Sequence, residues 1–182
     1  MEPIFLWWIG EGPGDGAMME HVRLHLARAF GHPAVLWESP ERPTDTWDEK
    51  RKQHASGRFL RWLLAAGPAE GKVLGVTDQD LFIPILTYVF GEAQLDGRSA
   101  VCSTARLGEG VELAGPRLLV ERLAKEAVHE VGHAFGLHHC DTEGCVMGRS
   151  PGVAGVDAKS HELCNNCRRW LEEPPERRPY VR

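Results

Sequence analysis

Long apolar runs, an excess of positive charge, internal repeats and phenols are absent or scarce in this chain, and each shortage removes a class of reading. The longest purely apolar run near the start, Ile4 to Ile9, is short and follows Glu2, where a signal segment carries basic residues. It fits neither a membrane span nor a signal peptide, so a cytoplasmic protein is the expectation. With 21 basic against 26 acidic residues and a net charge of −5, no global field gathers nucleic acid or an anionic membrane. Neither is expected as a partner. Only Tyr88 and Tyr180 offer a phenol, and nothing in the sequence sets either beside a reactive group.

What is present suits a packed core: the 182 residues are 42% apolar and 26% charged, and a single domain over 1–182, with a monomer favoured, is expected. Ile4 to Ile9 reads as a buried strand. The glycine-rich turn Gly10 to Gly16 then leads into a helix from about Ala17 to Phe30, closed by Gly31, and Ala34 to Trp37 reads as a second strand. After the Pro-rich loop Ser39 to Pro43, Thr44 or Asp45 can cap a helix predicted to reach about Ala66. Val73 to Thr77 reads as a third strand, with Tyr88 to Phe90 and Ser99 to Thr104 as strands or edge pieces around the Asp96-Gly97 turn. The best-marked helix runs from Arg117 to about Phe135, because Leu119, Leu123, Ala127, Val131 and Ala134 recur at helical spacing. From Gly136 to Cys167 the chain is rich in Cys and Gly, and Glu172 to Arg182, with three prolines, reads as an extended tail. The expected division is a sheet-and-helix part over about 1–136, a metal-stapled part over about 137–171 and the tail over 172–182.

His129-Glu130-Val131-Gly132-His133 lies on the end of that best-marked helix, and positions i and i+4 bring two imidazoles onto one face about 5–6 Å apart. One metal can bridge them. Gly136 can take the left-handed conformation that ends a helix and reverses the chain, which would bring His139 back to the same ion. Three imidazoles leave a fourth tetrahedral position for water, the arrangement of a catalytic zinc. Zinc can lower the pKa of such a water to about 7, and Glu130 is placed to take its proton and return it to a leaving amine. The motif fixes five positions in eleven, and His138 falls one residue short of its spacing, so His138 reads as surface or supporting.

Of the five cysteines, four have metal spacing: Cys140 and Cys145 form C-x4-C, and Cys164 and Cys167 form C-x2-C. Together they suit a closed thiolate site for a structural zinc, which would pin a loop poor in core-forming residues. Cys102 reads as a buried core cysteine. The expected cofactors are therefore two zinc ions per chain, one catalytic and one structural.

The run His129 to Cys140, followed by Cys145, Met147, Cys164 and Cys167, resembles the signature of the archaemetzincins, a family of the metzincin-type zinc metallopeptidases. The resemblance implies an α/β (α+β) metzincin-like single domain, with a twisted mixed sheet above a cleft, an active-site helix below it and a zinc-bound Cys-rich C-terminal region. It implies peptide or protein substrates. It also implies that Met147 packs beneath the catalytic zinc. The match is dense over 129–167 and shorter over Gly75 to Leu81, Phe90-Gly91 and Ala100 to Thr104; residues 1–70 follow the order of elements only.

Three other readings exist. Gly12-x-Gly14-x-x-Ala17, between a strand and a helix and with Glu38 about twenty residues on, has the outline of a dinucleotide site, although Pro13 removes one N–H donor. A catalytically silent zinc-binding peptide-interaction module keeps every metal ligand and Glu130. A nucleic-acid-binding zinc knuckle has only Arg168 and Arg169 in its favour and the acidic balance against it.

Overall fold

The computed structural model describes residues 1–12 and 14–173. In chain order the elements are β1 (Ile4–Trp8), α1 (Gly16–Phe30), β2 (Ala34–Leu36), β3 (Trp47–Asp48), β4 (Gln53–Ala55), α2 (Ser56–Ala66), β5 (Lys72–Thr77), β6 (Leu81–Phe82), β7 (Gly91–Ala93), β8 (Ser99–Ser103), α3 (Val111–Ala114), α4 (Arg117–Ala134), α5 (Val153–Ala158) and α6 (Asn165–Glu172). A five-stranded sheet has the order β2-β1-β5-β8-β7, parallel except for the antiparallel edge strand β7. A smaller sheet joins β3, β4 and β6.

Helices cover both faces of the large sheet, and all six residues of β5 are buried, as the central strand of a parallel sheet requires. One core joins Ile4, Leu6, Leu74 and Cys102 to Val22 and Leu26 of α1 and to Leu123, Ala127 and Val131 of α4. The other core, on the opposite face, sets Trp7, Ile9 and Val73 against Phe59 and Leu63 of α2. The start of α1 is fixed by Asp15, whose carboxylate accepts from Ala17 N and Met18 N, and its end by Gly31 in the left-handed region at φ 67°. Asp15 places an anion where the dinucleotide reading needs a phosphate.

Almost the whole of α4 from Arg122 to Gly132 is buried, including the ionisable Arg122, Glu126, His129 and Glu130. Such groups need partners, because an uncompensated buried charge costs several kcal/mol. The chain after α4 supplies them: Arg122 makes a two-pronged ion pair with Asp157 at 2.8 and 2.7 Å, and Lys159 reaches Glu126 at 2.7 Å. Lys159 also donates to the Gly148 carbonyl at 3.2 Å.

The structure departs from the sequence reading in several places. The helix predicted from Thr44 or Asp45 begins only at Ser56, because Asp48 accepts the N–H groups of Lys50 and Arg51 and Lys52 adopts φ 54°, closing a β3–β4 hairpin. Tyr88 to Phe90 forms a bridge from Val89 to Leu81 and a bond from Ser103 N–H to the Phe90 carbonyl, and the edge strand is β7, directly after it. The short helices α3, α5 and α6 span four, six and eight residues, too few turns to be read in advance. The predicted tail begins inside α6 at Glu172, and residues 174–182, with Tyr180, lie outside the described residues.

The Arg122 hydrogen bonds hold the Asp157 carboxyl below its ordinary value. A carboxyl with a lower pKa folded than unfolded contributes stability above its unfolded value of about 3.9 and loses it as pH falls through the folded value. Denaturant titrations of wild type and Asp157→Asn should therefore differ most near neutral pH and converge toward the acid end; a gap independent of pH would exclude this pair as its source.

Candidate metal centres and active-site cleft

Helix α4 ends in a Schellman turn: Leu137 N–H bonds the Gly132 carbonyl at 2.9 Å, Gly136 N–H bonds that of His133 at 2.8 Å, and Gly136 sits at φ 92°. A side chain at Gly136 would also come within 2.8 Å of the Trp170 ring of α6. This reversal carries His139 back over the helix. Nitrogens of His129, His133 and His139 lie within 4.8 Å of one another, with ring centroids 4.6, 5.3 and 4.8 Å apart.

The tautomers of two rings follow from their acceptors. His129 Nδ1 lies 2.9 Å from the Val146 carbonyl and His133 Nδ1 lies 2.7 Å from the Leu137 carbonyl; a carbonyl only accepts, so both Nδ1 atoms carry the proton. The Nε2 lone pairs then face each other across 3.1 Å. Two lone pairs at that distance repel unless a cation sits between them, and a tetrahedral zinc with bonds of about 2.0–2.1 Å sets its nitrogens about 3.3 Å apart. The donor set fits the ion. Burial, then the neighbouring Lys159 and His133, push His129 well below the usual histidine range, and burial leads the shift that takes His139 down to about 4. All three rings therefore enter the site neutral at physiological pH, as ligands must be.

Glu130 lies in the same cleft as the histidines, against the edge strand. A Cβ added at Gly91 would come within 2.6 Å of Glu130 Cγ and 2.8 Å of its Oε1, so β7 lies on the carboxylate itself. Burial, then Glu126 and Glu92, push the Glu130 carboxyl well above the ordinary range, with Lys159 pulling the other way. Gly132 has the same kind of role: a side chain there would come within 2.5 Å of Met147 Sδ, and Met147 is fully buried beneath the helix. The resulting cleft, about 820 Å³, is lined by Ile83, Leu86, Tyr88, Glu126, Arg149 and Pro151 as well as by Glu130 and the three histidines.

The cysteines form a second cluster. Cys140 Sγ and Cys164 Sγ are 3.7 Å apart, and Cys145 Sγ and Cys167 Sγ are 3.8 Å apart. A disulfide needs about 2.05 Å. Four sulfurs around zinc at about 2.3 Å sit about 3.8 Å apart, which these edges match. Backbone N–H groups of Thr142 and Cys164 point at Cys140 Sγ and Cys145 Sγ. Burial opposes ionisation of Cys164, yet hydrogen bonds from Cys167, Thr142 and Cys140 bring its thiol down to about 6. Burial, then Glu130 and Glu126, push up the thiol of Cys102, which is fully buried in β8 and takes no part in either cluster.

His138 lines the cleft but stands outside the histidine trio. Tyr88 also lines the cleft, a position the sequence did not indicate. Sequence reasoning missed Glu126 and Lys159, and it had Gly91 only as part of the family resemblance, with no role. Glu126 and Glu130 share a helix face at i and i+4, a like-charge pair that demands a cation from elsewhere, and that was the readable signal.

Comparison with known proteins finds matches along most of the chain. The model of the peptidase family M54 matches residues 70–173. The archaemetzincin of Methanopyrus kandleri is 34% identical over 163 residues, covering 90% of this chain and 91% of that one. The archaemetzincin of Methanocaldococcus jannaschii is 42% identical over 89% of each chain. The crystal structure of the Methanopyrus kandleri archaemetzincin superposes with a TM-score of 0.84 at 31% identity, over 94% of this chain and 93% of that chain.

Two measurements follow. Protein purified without added metal should hold two zinc ions per chain and His133→Ala one; a wild-type content near one that His133→Ala leaves unchanged would leave the thiolates as sole holder. Gly91→Ala should push the Glu130 carboxylate aside and lower turnover about 10²-fold at unchanged zinc content, the scale for about 1 Å of misplacement.

Proposed function

The chain belongs to peptidase family M54, the archaemetzincins, and is a zinc metallopeptidase; from that premise we propose that His129, His133 and His139 hold its catalytic zinc and that Glu130 is the general base and then the general acid of peptide hydrolysis. The observation that carries the reading is the Glu130 carboxylate, buried on the cleft wall next to the histidine trio and held there by the bare backbone of Gly91. Zinc, when bound, supplies a Lewis acid that polarises the scissile carbonyl and makes water nucleophilic at neutral pH.

The chain's own residues do the rest. Glu130 takes a proton from the attacking water and passes it to the leaving amine, a task suited to a carboxyl whose surroundings raise its pKa. The Val146 and Leu137 carbonyls hold two ligand rings in the tautomer that presents Nε2. Among the described residues strand β7 has a neighbour on one side only, so an extended substrate can pair along its free edge above the helix. Met147 gives the site a rigid apolar base, since Gly132 lets the sulfur reach the helix backbone.

In the same reading Cys140, Cys145, Cys164 and Cys167 hold a second, structural zinc, for a total of two per chain. That ion staples residues of about 137–171 to the sheet-and-helix part, and the chain acts as one domain. Four protein ligands leave no place for substrate there. Among the described residues no helix is long and apolar enough to cross a membrane.

The test separates turnover from mere binding. Glu130→Gln should lower kcat on a cleaved peptide by about 10²–10⁴-fold, the usual share of a general base, with KM and zinc content little changed. Equal activity in both forms would remove Glu130 from the mechanism, and absence of cleavage by wild type across a peptide library would favour the silent module.

A further inference from the structure

A third group of potential ligands lies away from the cleft, where α1 packs on α4. His21 and His25 stand at i and i+4 on α1, the same spacing as His129 and His133, and their ring centroids are 4.6 Å apart. A nitrogen of each and an oxygen of Glu121 lie within 4.8 Å of one another. His161, from the loop after α5, stacks on His25 at 4.4 Å. We propose that His21, His25 and Glu121 form a further binding site for a divalent transition metal of the zinc class, with His161 as the residue that positions Glu121.

The contacts between these side chains fit a ligand better than they fit each other. His21 Nε2 lies 3.7 Å from Glu121 Oε1 and His161 Nε2 lies 2.9 Å from Oε2. Both nitrogens are buried; His161 Nε2 faces the Glu121 carboxylate at ion-pair distance, whereas His21 Nε2 has no hydrogen-bond partner among the described residues. Polar atoms sealed in that way are rare without a compensating group. Two imidazoles and a carboxylate select zinc, cobalt, nickel or copper over calcium or magnesium.

The side chains of His21 and Glu121 are 33% and 25% exposed, enough for an ion to enter from solvent. Arg117 contacts Glu121 Oε1 at 3.4 Å but is 89% exposed and can swing away. With only three ligands and that competitor, the site should fill in micromolar zinc, after the histidine trio and the thiolates. An ion there would clamp α1 to the active-site helix and, through His161, to the loop between Lys159 and Cys164.

Tag-free wild-type protein, dialysed against micromolar zinc and then analysed for metal, should gain one equivalent beyond its content as purified, and its melting temperature should rise. His21→Ala/His25→Ala should gain neither and keep full peptidase activity, and Glu121→Gln should bind the added ion at least about tenfold more weakly. No uptake by wild type, uptake undiminished in the double variant, or unchanged affinity in Glu121→Gln would each overturn the proposal. Should the double variant fail to fold, His25→Gln must lose the added equivalent by the same measurement.

Discussion

Everything in the cleft depends on where residues 139–147 are held. His139 supplies one of the three candidate imidazoles, and Cys140 beside it belongs to the thiolate cluster. Three consecutive residues then serve three purposes: Cys145 joins the thiolates, the Val146 carbonyl fixes the tautomer of His129, and Met147 fills the space that Gly132 leaves open. The backbone bond from Cys140 N–H to the Met147 carbonyl, 3.0 Å, closes this loop on itself. Apolar burial of Cys145, Val146 and Met147 anchors the end of this segment, and the sulfur cluster and the helix end hold its polar remainder.

The same economy of position explains the charged interior of α4. A helix that must present Glu130 and two histidines to a cleft while packing on a sheet brings Arg122 and Glu126 into the core with them. Asp157 and Lys159, on one short stretch after the histidine turn, neutralise both. Their attraction replaces hydration that the buried groups have lost, so the pairs matter most as a condition for the helix to lie where it does. Because Lys159 also bonds the Gly148 carbonyl, the loop with the Met147 base is tied to the same helix face.

The placement of the cleft follows from the sheet. The parallel strands, with β5 and β8 buried along their whole length, form the platform, and β7 is the one strand of this sheet that runs antiparallel and lies at its edge. Gly91 on that edge allows backbone and carboxylate to touch, and no other residue type has the room. The dinucleotide outline near the start has an internal explanation: Asp15 caps α1, and a side chain at Gly14 would strike the Trp8 ring at 2.6 Å. Those glycines serve a tight strand-to-helix turn.

The sequence by itself determined the candidate donor set, the helix that carries most of it and the glycine that reverses the chain, because each is a local property: i, i+4 spacing, apolar periodicity and a backbone free to take positive φ. It also determined the family resemblance, through spacings within a single short stretch. Only the tertiary structure decided that Gly91 lies on Glu130, that Lys159 answers Glu126 and that Val146 and Leu137 fix the ring tautomers. It likewise decided that residues 47–55 form a hairpin and not the first turns of a helix, since β4 pairs with β6 some 27 residues on. These are contacts between distant parts of the chain, and neither propensity nor spacing records which distant groups a sheet will bring together.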